Sequence, residues 1–241
     1  YYGEFARRKL GTPEELNAAS QKSVARLDQS CSFGDSVSCA TIASFSDPNQ
    51  YAPPTYVKST DRQVAYTRRA CDLGWGRSCG TLGDMHRDGK GVKQDGAAAI
   101  AAYERQCSAG GYFDGEGCHS AGKVLVDGTV LARDPRRALK YFERACDLHV
   151  VRACTAGVKL ALEFQDPATA RALLERGCND AVAGTETCPA LGEAYEKGTL
   201  GLQKDFALAA KAYQRVCMRG HCTHAGDLFK HGGPNLAANP E

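Results

Sequence analysis

Twelve cysteines fall into six close pairs, and the pairs recur at one point of a repeating helical pattern. The pairs are Cys31/Cys39, Cys71/Cys79, Cys107/Cys118, Cys146/Cys154, Cys178/Cys188 and Cys217/Cys222. Their first members are separated by 40, 36, 39, 32 and 39 residues. A period of that length marks a solenoid, in which each unit buries its apolar face only against its neighbours. The 241-residue chain is therefore expected to form one elongated all-α domain without separate cores. A right-handed superhelix of about six helical hairpins is the predicted architecture.

Each unit reads as two antiparallel helices. The first starts at an N-cap such as Asp95, Asp134 or Asp205, with proline in the first turn at Asp134-Pro135 and Asp166-Pro167. It carries alanine and aromatic residues at helical spacing, as in Ala138, Tyr141 and Phe142. It ends at the first cysteine, with Gly74, Gly110, Gly177 and Gly220 as stop signals nearby. The second helix starts near the second cysteine and stops at Asp88-Gly89, Asp127-Gly128 or Lys197-Gly198.

This arrangement puts each cysteine pair at the turn of a hairpin, where a disulfide would staple the two helices. A loop of about ten residues predicts roughly 2–3 kcal/mol of stabilisation per bridge. Zinc held by paired cysteines requires closer spacings and a second pair nearby. Even, paired cysteines place the chain in an oxidising compartment: bacterial periplasm, extracellular space or mitochondrial intermembrane space. Thirty basic and 28 acidic residues leave a net charge of +2 with no long run of one sign. That balance argues against an electrostatic grip on nucleic acid. No apolar stretch approaches the roughly 20 residues of a membrane-spanning helix. Along the chain, 14–46 reads as a divergent first hairpin and 46–59 as a proline-rich inserted loop holding Tyr51 and Tyr56. The repeats occupy 60–231, and 232–241 reads as a tail.

The run Leu82-Gly83-Asp84-Met85-His86-Arg87-Asp88-Gly89-Lys90-Gly91-Val92, followed by an Ala-rich helix and Tyr103, resembles the Sel1-like repeat, a relative of the tetratricopeptide repeat. Leu191-Gly192, Tyr195, Gly198, Asp205, Ala209-Ala210 and Tyr213 fall in the same register. The resemblance implies a non-catalytic scaffold that binds protein partners. Two cysteine-rich branches of the family are similar to this chain. One comprises secreted bacterial repeat proteins, which would bind host or envelope partners. The other is the mitochondrial assembly factor seven group, linked to cytochrome c oxidase. The ten residues between Cys107 and Cys118, with Cys118-His119-Ser120-Ala121-Gly122 after them, resemble the mitochondrial branch. That reading implies subunits of a respiratory complex as partners.

Arg69, Arg105, Arg144, Arg176 and Arg215 each stand two residues before a unit's first cysteine, so stacked units would arrange them as a ladder. Glu104, Glu143 and Glu175 sit beside three of them, which suggests ion pairs between units. A guanidinium row gripping a partner's carboxylates is the sharper alternative. Ser120-Ala121-Gly122-Lys123 matches the Ser-x-x-Lys nucleophile pattern of penicillin-interacting enzymes, but no Ser-Asp-Asn or Lys-Thr-Gly partner motif is present. No catalytic role is expected. His86, His119 and His149 read as solvated or capping histidines. Cys217, His221, Cys222 and His224 offer ligands that zinc or haem iron would accept, though a shortened disulfide loop explains the same residues. No metal or cofactor is expected.

Overall fold

The computed structural model describes residues 12–53, 55–179, 187–217, 227–228, 230–232 and 236. Among them lie α1 Pro13–Ser32, α2 Ser36–Ser46, α3 Thr60–Asp72, α4 Gly76–Asp88, α5 Gly96–Cys107 and α6 Asp114–Asp127. The series continues with α7 Pro135–Asp147, α8 Val151–Glu163, α9 Pro167–Asn179, α10 Thr187–Lys197 and α11 Phe206–Cys217. The described residues form no β-strand. Two compact units divide after Phe113.

In the first unit, α1/α2 and α3/α4 are successive hairpins, and α5 packs on α4. Cys31–Cys39 and Cys71–Cys79 are disulfides with Cα–Cα separations of 4.7 and 4.6 Å. The bridges form the middle of the core. Cys31 and Cys39 cluster with Ile42 and with Ala70 of the next hairpin. Cys71 and Cys79 cluster with Leu82 and with Ala102 of α5.

The second unit runs from α6 to α11, and each of its helices packs on the next. Cys146–Cys154 and Cys178–Cys188 are disulfides with Cα–Cα separations of 4.8 and 4.6 Å. Here too the following first helix covers the bridge. Leu173 of α9 lies on Cys146 and Cys154, and Ala212 and Val216 of α11 lie on Cys178 and Cys188. Cys118 is disulfide-bonded as well. The stapled helical hairpins expected from cysteine spacing are thus the repeating element.

Helix starts and stops follow local chemistry. The Thr12 hydroxyl accepts from Glu15 N, while Glu15 Oε2 accepts from Thr12 N at 2.7 Å, a reciprocal cap followed by Pro13. Asp95, Asp134 and Asp205 each accept a backbone N–H of the first turn at 3.0 Å. The helices α4, α6 and α10 stop at Asp88, Asp127 and Lys197, where the glycine that follows takes positive φ. Turns after the first cysteine also need the left-handed region, met by Gly34, Gly74 and Gly110 and, in the fourth hairpin, by His149 at φ 65°. Gly177 departs from its expected role as a stop signal. It lies inside α9, where an added Cβ would come within 2.8 Å of Thr187 Cγ2. Its smallness serves packing instead. Gly220 lies outside the described residues.

A second periodic device joins neighbours. A mid-helix glycine of a second helix receives the aromatic ring of the next first helix. A Cβ on Gly83 would lie 2.5 Å from Tyr103, on Gly122 2.6 Å from Phe142, and on Gly192 2.6 Å from Tyr213. The two tyrosines end in carboxylates: Tyr103 Oη donates to Asp84 at 2.7 Å and Tyr213 Oη to Glu196 at 3.0 Å. Burial first, and then these carboxylates, push both phenols above their ordinary range.

Candidate binding surface

The first helices carry the arginine row, and the structure gives most of its members a partner inside the chain. Arg69 Nη2 on α3 donates to Ser32 O at the end of α1, at 2.9 Å. Arg105 on α5 donates to Cys71 O at 2.9 Å and pairs with Asp72 at 2.8 Å, at the end of α3. Arg176 on α9 pairs with Asp147, the last residue of α7, at 2.9 Å. Arg215 on α11 donates to Cys178 O at 3.1 Å and to Asn179 Oδ1, at the end of α9. Arg69, Arg105 and Arg215 therefore cap the C-terminus of the preceding first helix, where unpaired carbonyls concentrate negative charge, and Arg176 meets the last side chain of its own predecessor. Arg144 also has a partner.

Two of the acids that pair with the row were not among those expected. Asp72 and Asp147 directly follow a cysteine, whereas Glu175 sits 3.8 Å from Arg171 of its own helix. A readable signal was present. The residue after each first cysteine is Ser, Asp, Ser, Asp or Asn in the first five units, a short polar side chain suited to meeting an arginine.

Shallow clefts open beside these joints. A cleft of about 590 Å³ between α1 and α3 is lined by Asp28, Ser32, Tyr66, Arg68, Arg69 and Asp72. A smaller one of about 240 Å³ between α9 and α11 is lined by Glu175, Asn179, Tyr195, Leu208, Lys211 and Arg215. They occupy equivalent positions in different repeats. Both offer acidic and basic groups together, chemistry for grasping a polar, mixed-charge surface rather than a polyanion.

Tyr51 and Tyr56 separate in role. Tyr51 is 81% exposed on the inserted loop. Tyr56 is fixed: its hydroxyl lies 2.7 Å from Ser46 Oγ, its ring meets Phe45 edge-on, and the Arg62 guanidinium sits 5.1 Å from its centroid. Lys58 holds the loop by donating to the carbonyls of Pro48 and Gln50 at 3.2 and 2.6 Å.

His119 departs from a solvated reading. It is half-buried on α6, its ring lies 5.8 Å from that of Phe142, and Arg152 Nε donates to its Nδ1 at 3.3 Å. Burial, with Lys123 nearby, holds its imidazole below the ordinary histidine range. Ser120 is half-buried and Lys123 exposed on the same helix. No group of three His, Cys, Asp or Glu side chains is placed to hold a metal ion among the described residues. His221, Cys222 and His224, and the side chain of Cys217, lie outside them, so the candidate metal cluster and the sixth bridge do too. No helix of the described residues is long and apolar enough to cross a membrane.

Hairpins stapled at the turn, with a glycine-to-aromatic joint between neighbours, make an all-α helical repeat within each unit. The Sel1 repeat model matches residues 80–110, 111–150 and 190–221. No curated protein matches the chain in sequence. Among solved structures, it is similar to a protective antigen of uropathogenic Escherichia coli strains displaying an SLR fold, with a TM-score of 0.65, 20% identity and 90% of this chain covered. It is also similar to a Sel1 repeat protein of Oxalobacter formigenes, with a TM-score of 0.58, 19% identity and 88% covered. Cysteine-rich protein B of Helicobacter pylori matches 61% of the chain and 98% of its own, at 25% identity and a TM-score of 0.43. The chain spans 46% and 59% of the lengths of the first two.

Proposed function

We propose that this chain is a non-catalytic protein-binding scaffold of an oxidising, extracytoplasmic compartment, belonging to the bacterial side of the cysteine-rich Sel1-like proteins. The observation that carries the reading is the recurrence of mixed-charge clefts at equivalent joints, α1/α3 and α9/α11, on the first helices. A surface repeated by the fold suits an extended partner that contacts several repeats at once. The buried disulfides support the compartment, since such bridges persist where thiols are oxidised. The bacterial neighbours with the same fold, one of them described as a protective antigen, support a periplasmic or secreted setting. A continuous repeat stack over 60–231 is part of this proposal.

The finer mitochondrial reading rests on the Cys107/Cys118 spacing and the run to Gly122, and none of the relatives named above bears on it. One experiment separates the two. Source cells are fractionated natively in mild detergent, and the chain is traced by mass spectrometry with cross-linking. Recovery in periplasm or medium, cross-linked through first-helix residues such as Arg68 or Lys211, is the expected result. Co-migration with a respiratory complex would replace it with the assembly-factor reading. Turnover of a β-lactam or wall peptide lost on Ser120→Ala would overturn the non-catalytic assignment.

A further inference from the structure

The first unit holds a second cleft, on its other layer of helices. It has a volume of about 530 Å³ and lies between α2 and α4, with Gln63 and Thr67 of α3 among its lining residues. That volume is within the roughly 300–1,000 Å³ of ligand pockets. The two second helices run the same way, and their residues correspond by offset from the paired cysteines: Val37 with Arg77, Ser38 with Ser78, Thr41 with Thr81.

The lining is ordered along the helices. Val37, Trp75 and Arg77 stand at one end, the hydroxyls of Thr41 and Thr81 in the middle, and Phe45 and Asp47 at the other end. Val37 to Phe45 is eight residues of helix, about 12 Å at 1.5 Å per residue. An extended chain at about 3.3 Å per residue crosses that distance in roughly four residues. The ends carry opposite charge, Arg77 and Asp47. Each end also offers an apolar surface, Trp75 with Val37 or Phe45.

The Arg77 end continues into an exposed aromatic edge. The Arg77 guanidinium lies 5.0 Å from the centroid of Phe113, and Phe113 meets Tyr112 edge-on at 5.2 Å. Tyr112 is 96% exposed. Tryptophan, tyrosine and arginine are the residues over which binding energy concentrates in protein interfaces. Here Trp75 and Arg77 line the cleft and Tyr112 lies next to it through Phe113, and none of the three belongs to the repeat joints described above.

We infer that the α2/α4 cleft binds an extended segment of a partner protein, about four residues long. An acidic group of that segment lies on Arg77, a basic group on Asp47, and an apolar side chain against Trp75. The Thr41 and Thr81 hydroxyls, which donate to Val37 O and Arg77 O of their own helices, accept from the segment's backbone N–H groups, and the Gln63 amide serves its carbonyls. The opposite charges at the two ends are what favour a peptide over a neutral saccharide. This site lies on a different layer from the first-helix clefts of the scaffold reading, and it rests on that reading only for the nature of the partner.

Trp75 is the single tryptophan of the chain, so its fluorescence reports on this cleft alone. The test pans a random heptapeptide display library against the full, oxidised chain and titrates enriched peptides against Trp75 emission. Enriched peptides are expected to pair an acidic with a basic residue about three positions apart. Arg77→Glu and Thr41→Arg, each with an unchanged non-reduced disulfide map and thermal midpoint, should weaken binding at least about tenfold. Arg68→Glu, in the first-helix cleft, should leave it unchanged. Failure to enrich any such peptide overturns the proposal, as does binding lost only on Arg68→Glu. A shift of Trp75 emission by chitotetraose, with none by peptides, replaces the peptide with a saccharide. A cross-linked protein partner that Arg77→Glu still retains leaves the scaffold reading standing while this cleft assignment falls.

Discussion

At the scale of single residues, small side chains and charged tips set the joints. Gly83 and Gly74 make a useful contrast. At Gly83 an added Cβ meets the Tyr103 ring at 2.5 Å, whereas at Gly74 it meets nothing within 4 Å but must sit at φ +87°. Gly83→Ala should cost about 1–3 kcal/mol in urea unfolding, through overpacking of a ring that its hydroxyl partner holds in place. Gly74→Ala should cost about 1 kcal/mol through backbone strain alone. An Ala at 83 as mild as at 74 would contradict the close packing. Arg105→Ala should cost about 1 kcal/mol, and a double-mutant cycle with Asp72→Ala should show positive coupling, because the exposed ion pair and the helix cap share one guanidinium. His119 predicts a pH effect. The fold holds its imidazole below the ordinary histidine range through burial and Lys123, with Arg152 Nε donating to Nδ1, while the unfolded chain takes up a proton near the ordinary value of 6.5. The unfolded state then binds more protons as pH falls below that value, so stability drops with acidity. Glu116, which pairs with Arg152, keeps one carboxylate in the cluster. Chemical denaturation between pH 7 and pH 5 should lose part of its slope in His119→Gln; an unaltered slope would remove His119 as its source.

At the scale of elements, the hairpin is the unit that sequence reveals best. Paired cysteines eight or ten residues apart, aspartate caps and Asp-Gly stops all report local geometry, and local geometry is what a short stretch of sequence encodes. Helix ends at Asp88, Asp127 and Lys197 were legible for that reason. What joins one hairpin to the next was less so. The arginine row was visible, but its targets are mostly backbone carbonyls of the preceding helix, and a carbonyl leaves no mark in a sequence. Gly177 misled as a stop signal because a glycine needed for close approach looks the same as one needed for positive φ. The α2/α4 cleft was not legible at all, since Thr41, Thr81 and Gln63 are ordinary polar residues until stacking gathers them. Removing one staple tests the hairpin directly. Cys71→Ala with Cys79→Ala should lower stability by about 2–3 kcal/mol, the entropy of a loop of about nine residues. It should loosen α5 as well as its own hairpin, because Ala102 packs on that bridge. Hydrogen exchange faster in α3 and α4 but unchanged in α5 would show the bridge to be a local clasp only.

At the scale of the whole molecule, peptide mapping without reduction should link 31 with 39, 71 with 79, 146 with 154, and 178 with 188. Links between cysteines of different pairs would contradict the hairpin repeat. The buried bridges share the core with the apolar residues, so a thiol reductant should act slowly on the folded chain and quickly once denaturant opens it. The arginine cap has a wider consequence. Such a joint is divided between two consecutive repeats: the later one brings the guanidinium, the earlier one a carbonyl or the short polar residue after its cysteine. A gene segment covering one full period thus encodes half of the joint behind it and half of the joint ahead. Tandem duplication or loss of such a segment would rebuild an intact seam at the new boundary, so chains of this kind can change length by whole periods without inventing a new interface.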